Sequence, residues 1–410
     1  MPKFISAPPD SRLLPFPWDT SLEDWPSELL VALPRGLSRH VVRFIQVGES
    51  VYAAKEVIEH LAHHEYRLLH DLSRLGCPAV EPIGIITGRR NSNGESLDPI
   101  LLTRHLEFSL PYRSLFTPGV RQETVSRLLD AMVVLIARLH LIGFQWGDVS
   151  LSNILFRRDA SSFAAYLVDA ETGHLHPKLT KGQREQDLDI ARTNLFGDFL
   201  DLQAGGMLLS PFDPLKLVDS ILSRYNELWQ ELTGVEEFLG TQRELIEGRV
   251  RRLNALGFDV AEMDIETVAG DAIIRIQPKV VDAGHHQRRL MRLTGLDTEE
   301  NQARRLLNDM DSFRFRSGQS HVAEAVVAHQ WLTETFEPVM AEVPPELSSK
   351  REPAQIFHEL LDYRWYMSQH EERNVPLLEA VTGYVEEVLA DLPDEALSAE
   401  TWSDDDTMGG

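Results

Sequence analysis

Two short β-branched runs, Val41–Val47 and Val51–Ala54, flank Gly48-Glu49-Ser50. Runs of this length around a turn-forming tripeptide predict an antiparallel hairpin. The period then changes. Over Ile58–Leu75 apolar residues recur at Leu61, Leu68, Leu69, Leu72 and Leu75, the three-and-four spacing of one helix face. Gly76 and Pro78 supply a helix stop. Strand-like runs follow at Ile83–Thr87 and Ile100–Thr103, and the polar stretch between them, Arg89–Asp98, reads as a mobile loop. A long apolar-striped helix is expected over 121–141, and a strand at Ala165–Val168. Helices dominate from about 186 onward, including 212–232 and 241–256, and continue to about 390. They are interrupted by a second hairpin at about 260–280, around Ala269-Gly270-Asp271.

This order predicts an α+β chain: a small antiparallel sheet lobe beside a helical lobe, then a mainly helical C-terminal domain with a β-hairpin. A cleft between the two lobes is the expected binding site. Four segments are expected. Residues 1–30 hold Pro8, Pro9, Pro15 and Pro17 and read as an extended arm with one short helix. Residues 31–205 form the sheet and first helical lobe, and residues 206–392 the helical domain. Residues 393–410 form an acidic, disordered tail. No repeat of solenoid period is evident.

Composition narrows the function classes. The 410 residues carry 40 Lys and Arg against 64 Asp and Glu, a formal net charge of −24. Such a surface argues against bulk capture of nucleic acid or anionic lipid. The single cysteine, Cys77, excludes an internal disulfide and a cysteine-rich zinc site. It suits a reducing compartment, and the chain shows neither a signal-peptide-like start nor an apolar run of membrane-spanning length. A cytoplasmic location without a membrane span is expected.

Candidate chemistry lies at the strand ends and in the loop after 121–141. Asp148 and Asn153 are five residues apart in Trp146-Gly147-Asp148-Val149-Ser150-Leu151-Ser152-Asn153. A carboxylate there can accept a proton from an attacking hydroxyl, and the carboxamide oxygen can ligate a hard cation such as Mg²⁺. Asp169 follows the apolar run Tyr166-Leu167-Val168, well placed to bind metal. Upstream, Lys55 ends a strand on the same face as the small Ala53, over which a flat aromatic ligand can lie. Glu65, on the next helix, can orient Lys55 toward phosphates.

Over about residues 30–205 this set resembles the protein-kinase-like superfamily. Ala53-Ala54-Lys55 resembles its strand lysine motif and Glu65 its helix glutamate. Asp148 and Asn153 resemble the catalytic-loop pair, and Asp169 the metal aspartate. The details are most similar to the lipopolysaccharide (Kdo/WaaP-type) kinases and to aminoglycoside-phosphotransferase-like proteins. The whole chain also resembles an uncharacterised bacterial family with a kinase-like N-terminal half and a helical C-terminal half. The resemblance implies a bilobal kinase-like fold, ATP and Mg²⁺. It implies Asp148 as the catalytic base, and Asn153, Asp169 and Glu171 at the metal. Lys55, Glu65, Ala53, Gly36, Ser38 and Arg39 would meet the nucleotide. It does not give the phosphate acceptor.

Several positions depart from the pattern. Trp146 and Gly147 replace the usual His and Arg, and Glu171 stands where the metal motif has Gly. The phosphate loop, Pro34-Arg35-Gly36-Leu37-Ser38-Arg39-His40, has one glycine. The Lys55–Glu65 separation is short, which leaves Glu59 as a weaker partner. Two further clusters stand out. His60 and His64 have a metal-compatible spacing with no third ligand nearby, so they read as solvated or packing residues. His285, Arg288, Arg289 and Arg292 share one helix face, as an anion site or as partners of nearby acids.

Two functions compete on the sequence. One is an ATP-dependent phosphotransferase acting on an unidentified hydroxyl acceptor. The other is a nucleotide-binding, pseudokinase-like regulator whose C-terminal half binds a protein partner or anionic effector.

Overall fold

The computed structural model describes residues 2–6, 11–31, 33, 40–48, 50–234, 236–239, 248, 258–268 and 273–396, with the backbone alone for 236–239, 258–268 and 273–283. The expected phosphate loop, with Gly36, Ser38 and Arg39, lies outside the described residues. So do the tail from 397 and all but residue 248 of the helix expected over 241–256. The chain divides into two compact units. The first holds residues 1–157 and 165–224, and the second residues 158–164 and 225–396.

In the first unit, Lys3–Ser6 (β1), Val41–Val47 (β2), Ser50–Glu56 (β3), Pro82–Thr87 (β4) and Ile100–Arg104 (β5) form an antiparallel sheet of order β1-β4-β5-β3-β2. Side-chain alternation sorts β3 into two faces. Tyr52 and Ala54 pack with Ile45, Ile86, Ile100 and Leu102 against Leu13, Trp18, Leu22 and Trp25 of the N-terminal segment. Ala53 and Lys55 take the opposite face.

That N-terminal segment corrects an expectation. The expected extended arm carries a strand and more than one short helix. β1 is an edge strand, and three single-turn 3-10 helices follow at Ser11–Leu13, Leu22–Asp24 and Ser27–Leu29. Proline limits backbone hydrogen bonding but does not stop large indole rings from burying their area, and Trp18 and Trp25 are both buried.

Arg89 opens the polar loop expected over Arg89–Asp98 and anchors its start. Arg89 is fully buried. Its guanidinium donates to Trp18 O at 2.8 Å, Glu56 Oε1 at 2.6 Å, Thr20 O at 2.5 Å and Asp98 O. Glu56 Oε2 accepts from Ser21 Oγ at 3.0 Å and Leu22 N at 3.3 Å. A planar fork of donors thus ties the N-terminal segment to β3.

The other sheet face looks toward Glu59–Arg74 (α1), which buries Ala62, Glu65, Leu68, Leu69 and Leu72 on one stripe. The rest of the unit is mainly helical. Ser109–Pro111 (β6), Tyr112–Leu115 (α2), Gln122–Leu141 (α3) and Phe144–Gln145 (β7) lead into a hairpin of Ile154–Asp159 (β8) and Ser162–Leu167 (β9). His174–Leu175 (β10), Lys181–Ala204 (α4) and Pro214–Thr233 (α5) follow, and the division between units falls inside α5. The α+β class expected from the sequence is present.

The second unit has a three-stranded antiparallel sheet of Glu236–Leu239 (β11), Phe258–Val268 (β12) and Ile273–Ala283 (β13), in the order β11-β13-β12. β12 and β13 are the expected hairpin. His285–Thr294 (α6), Glu300–Arg316 (α7), Glu324–Trp331 (α8), Glu337–Ala341 (α9), Pro353–His370 (α10) and Leu377–Glu387 (α11) follow. Leu290, Leu306, Trp331, Phe357, Leu360 and Tyr384 anchor their core. Residues 393–396, placed in the expected tail, are held in the structure. Glu395 is buried, accepts from Arg158 Nε at 2.8 Å and pairs with Arg351 Nη1 at 3.0 Å. A carboxylate held by two guanidinium groups fixes this end of the chain. Among the described residues, no helix is long and apolar enough to cross a membrane.

Candidate functional site

Lys55 lies opposite Val42 on β2 and Leu101 on β5, so neighbouring strands fix its backbone on both sides. Its Nζ meets three carboxylates: Glu65 Oε2 at 3.0 Å, Asp169 Oδ2 at 2.8 Å and Glu171 Oε2 at 3.0 Å. Glu59, the alternative partner, is exposed. Glu65 occupies a core position of α1, where an unpaired carboxylate would be costly. Its other oxygen faces Ala170 N at 3.5 Å.

The second wall is the loop after α3. At Gly143 (φ +90°) a Cβ would stand 2.0 Å from His176 O, so the chain requires glycine there. Trp146 is buried and donates its indole N–H to Asp169 O at 3.0 Å. Asp148 Oδ1 accepts from Asn194 Nδ2 at 2.9 Å, and its Oδ2 from Asn153 Nδ2 at 3.2 Å. Asn153 Nδ2 also donates to Asp148 O at 3.0 Å, which leaves the Asn153 Oδ1 atom on offer as an acceptor. Val168 N donates to Asn153 O at 3.1 Å, which ties the backbone of Asn153 to the residue just before Asp169. Glu171 N donates to Asp169 Oδ1 at 3.0 Å.

Both walls line one cavity of about 390 Å³. Ala53, Lys55, Glu65, Asp148, Asn153, Asp169 and Glu171 all border it, with apolar Val42, Phe44, Leu101 and Val168. His105 lines it too, and burial pushes its imidazole down to about 4, so the ring is neutral near pH 7.

The charges are unbalanced. Burial pushes the Glu65 carboxyl up to about 7, and the Asp169 charge adds to this against the pull of Lys55. Burial opposes the Lys55 ammonium, but Glu65, Asp169 and Glu171 together raise it above its ordinary range. Burial also opposes the Glu171 charge, yet Lys55 and His40 hold that carboxyl below its usual value. His40 Nε2 lies 3.0 Å from Glu171 Oε2. Three carboxylates against one ammonium leave an excess of two negative charges when all are ionised. Glu65, Asp169 and Glu171 offer oxygens within 4.8 Å of one another. An all-oxygen, electron-rich set fits a hard divalent cation.

Four residues that position this site were not singled out from the sequence: His140, Asp187, Asn194 and Asp198. Asp187 is fully buried on α4. Its Oδ2 accepts from Trp146 N at 2.7 Å and lies 3.1 Å from His140 Nε2, while Oδ1 accepts from Gly147 N at 2.7 Å. Asp198 Oδ2 accepts from Leu151 N at 2.7 Å, and Asn194 holds Asp148. A signal existed: Asp187 falls on the i, i+4 stripe of Ala191, Leu195 and Phe199, where an acid needs a buried partner.

The remaining candidates lie elsewhere. His64 Nε2 is 2.9 Å from Gly173 O, and His60 is exposed. His285, Arg288, Arg289 and Arg292 are on α6 in the second unit. There Arg289 Nε donates to Glu324 Oε1 at 3.0 Å, neighbouring His286 Nδ1 is 2.6 Å from Glu300 Oε1, and Arg292 is exposed.

Residues 44–195 match the lipopolysaccharide kinase (Kdo/WaaP) family, and residues 227–389 match a domain of unknown function, DUF4032. No curated protein matches the chain. Among solved structures, the chain is similar to WaaP in complex with acyl carrier protein. The identity is 16% and the TM-score 0.38, over 62% of this chain and 99% of that one. The N-terminal half thus resembles the lipopolysaccharide kinases, joined to an uncharacterised C-terminal region.

Proposed function

We propose that the protein is an ATP- and Mg²⁺-dependent phosphotransferase acting on a hydroxyl acceptor. The observation that carries this reading is the Lys55 contact with both Glu65 and Asp169, in the cavity that Asp148 and Asn153 also line. The match of residues 44–195 to a kinase family supports the same class of chemistry.

The roles follow from the groups. Lys55, held by Glu65, binds nucleotide phosphate oxygens. Asn153 Oδ1, Asp169 and Glu171 would hold the cation, which neutralises phosphate charge when bound. Asp148, oriented by Asn153 and Asn194, takes the proton from the acceptor hydroxyl. The hydroxyl oxygen forms a bond to the γ-phosphorus, the bond from that phosphorus to the bridging oxygen breaks, and ADP leaves.

The test is thermal melting with nucleotide. Mg²⁺ and ATP at 100 times Kd stabilise by about 2.7 kcal/mol. Lys55→Ala and Asp169→Ala are expected to lose that shift. Asp148→Asn is expected to keep it while turnover falls by about 10²–10⁴-fold. A wild-type protein whose melting ignores ATP, GTP and their Mg²⁺ complexes overturns the reading.

A further inference from the structure

Strand β5 leads away from the carboxylate cluster along one wall of the cavity in the first unit. Lys55 lies opposite Leu101, and Ala53 lies opposite Thr103. At about 3.3 Å per residue, Thr103 stands roughly 7 Å along β5 from the level of Lys55, and His105 follows just beyond the strand. Alternation places Leu101 and Thr103 on one face. Leu101, Thr103 and His105 all border the cavity. The wall changes character along this line. Three carboxylates surround Lys55. Phe44 lies opposite Ala53 on β2 and gives an apolar surface. Thr103 and His105 then add polar, uncharged groups.

Among the described residues, neither the Thr103 hydroxyl nor either ring nitrogen of His105 has a hydrogen-bond partner. The His105 ring meets Phe44 edge-on, with centroids 5.6 Å apart and planes at 77°, so packing sets its orientation. Burial pushes the imidazole down to about 4. Near pH 7 one ring nitrogen therefore donates and the other accepts. The backbone here is already engaged. Arg104 N donates to Glu81 O at 2.8 Å, His105 N to Val51 O at 2.9 Å, and Ser109 N to Leu106 O at 3.3 Å. Thr103 and His105 thus offer, through their side chains, hydrogen bonds that the backbone N–H groups at 104 and 105 do not. A polar group in a cavity wall is costly when a ligand expels water and leaves it unpaired. The ligand that fits brings a polar edge to this end of the cavity.

We infer that Thr103 and His105 are specificity-determining residues that read the nucleobase edge, and that they accept adenine and guanine alike. This rests on the phosphotransferase reading above. With phosphates at Lys55, the sugar and base extend past Ala53, and the base edge meets Thr103 and His105. Adenine presents an amino donor where guanine presents a carbonyl acceptor. A hydroxyl rotates to donate or accept, and a neutral imidazole changes tautomer. A site of fixed polarity is left unpaired by the wrong base and rejects it by about 10⁴–10⁵-fold. Thr103 and His105 meet either purine without that penalty.

The experiment titrates full-length wild type, His105→Phe and Thr103→Val with the Mg²⁺ complexes of ATP, GTP and inorganic tripolyphosphate. His105→Phe keeps a ring against Phe44 and removes both nitrogens. Thr103→Val keeps the shape and removes the hydroxyl. In wild type, ATP and GTP are expected to bind within about tenfold of each other. Each variant is expected to weaken both nucleotides by about 3–10-fold, the loss of one hydrogen bond. Tripolyphosphate is expected to keep its wild-type affinity, because Lys55 and the carboxylates are untouched. A wider gap between the purines, a folded variant that leaves either purine at wild-type affinity, or an equal loss for tripolyphosphate overturns this inference alone. A wild type that binds neither nucleotide overturns the phosphotransferase reading as well. Should one variant fail to fold, the other carries the test.

Discussion

Gly147 donates its backbone N–H to Asp187 Oδ1 at 2.7 Å, although the two residues are 40 positions apart. Asp187 Oδ2 takes the adjacent Trp146 N–H at the same distance. One buried carboxylate therefore sets the backbone immediately before Asp148. Asp187→Ala strands two buried donors, each at a cost of about 1–3 kcal/mol. Denaturant unfolding should report that loss. Asp187→Asn, which keeps one acceptor oxygen, should lose less. Gly147→Ala should also destabilise, by about 1–2 kcal/mol, because its φ is +77° and a Cβ would stand 3.0 Å from Thr172 O. An Asp187→Ala protein as stable as wild type would contradict this account of the loop.

Arg89 gives the second prediction. Its guanidinium reaches three backbone carbonyls and Glu56 while fully buried. Arg89→Ala leaves Glu56 without its cation and should cost about 3–5 kcal/mol. Arg89→Lys should recover little, since one ammonium cannot span acceptors arranged for a planar fork. Release of the N-terminal segment should show as faster proteolysis within residues 1–30, and unchanged cleavage there would count against the staple.

How much of this was legible varies by residue. Alternation sorted the faces of β3, and helical spacing gave α1, so Lys55 and Glu65 could be paired despite their short separation. Arg89 was hidden because a polar stretch with Asn and Gly carries no periodic signal, and its acceptors are mostly carbonyls, which no side-chain pattern marks. The burial of Trp18 and Trp25 was obscured by prolines that look like breakers. Asp159 was hidden for another reason: its partners on α7 lie more than a hundred residues downstream, at separations of 142 and 143, beyond any local window. Asp187 was readable in principle from its helical stripe, but only once that helix was extended back to Lys181.

Lys55 supports a prediction that separates nucleotide from cation. Lys55→Met removes the ammonium from among Glu65, Asp169 and Glu171. ATP-dependent stabilisation should disappear. Divalent cation binding without nucleotide should strengthen, because the Asp169 and Glu171 oxygens lose the ammonium that competes with a cation for them. Calorimetric titration with Mn²⁺ or Mg²⁺ checks this. Weaker cation binding in Lys55→Met would mean that Asp169 and Glu171 do not hold the cation.

Asp159 should make stability depend on pH. Its carboxyl ordinarily titrates near 3.8, and burial, reinforced by Glu299, pushes it to about 7 in the folded chain. Between these values the folded state binds more protons than the unfolded state. Unfolding free energy therefore falls as pH rises through that window. The contribution is fully present below about pH 4 and is lost by about pH 7, with an amplitude on the order of a few kcal/mol. Glu65, pushed from 4.5 to about 7, slopes in the same direction in the first unit. Asp159→Asn cannot titrate, so it should flatten the slope for the second unit while leaving the Glu65 contribution intact. Urea midpoints between about pH 4.5 and 7.5, followed by tryptophan fluorescence, measure both slopes. Identical pH slopes in wild type and Asp159→Asn would mean that Asp159 stays ionised across the range, and that the hairpin tip is held by an anion and not by a carboxylic acid.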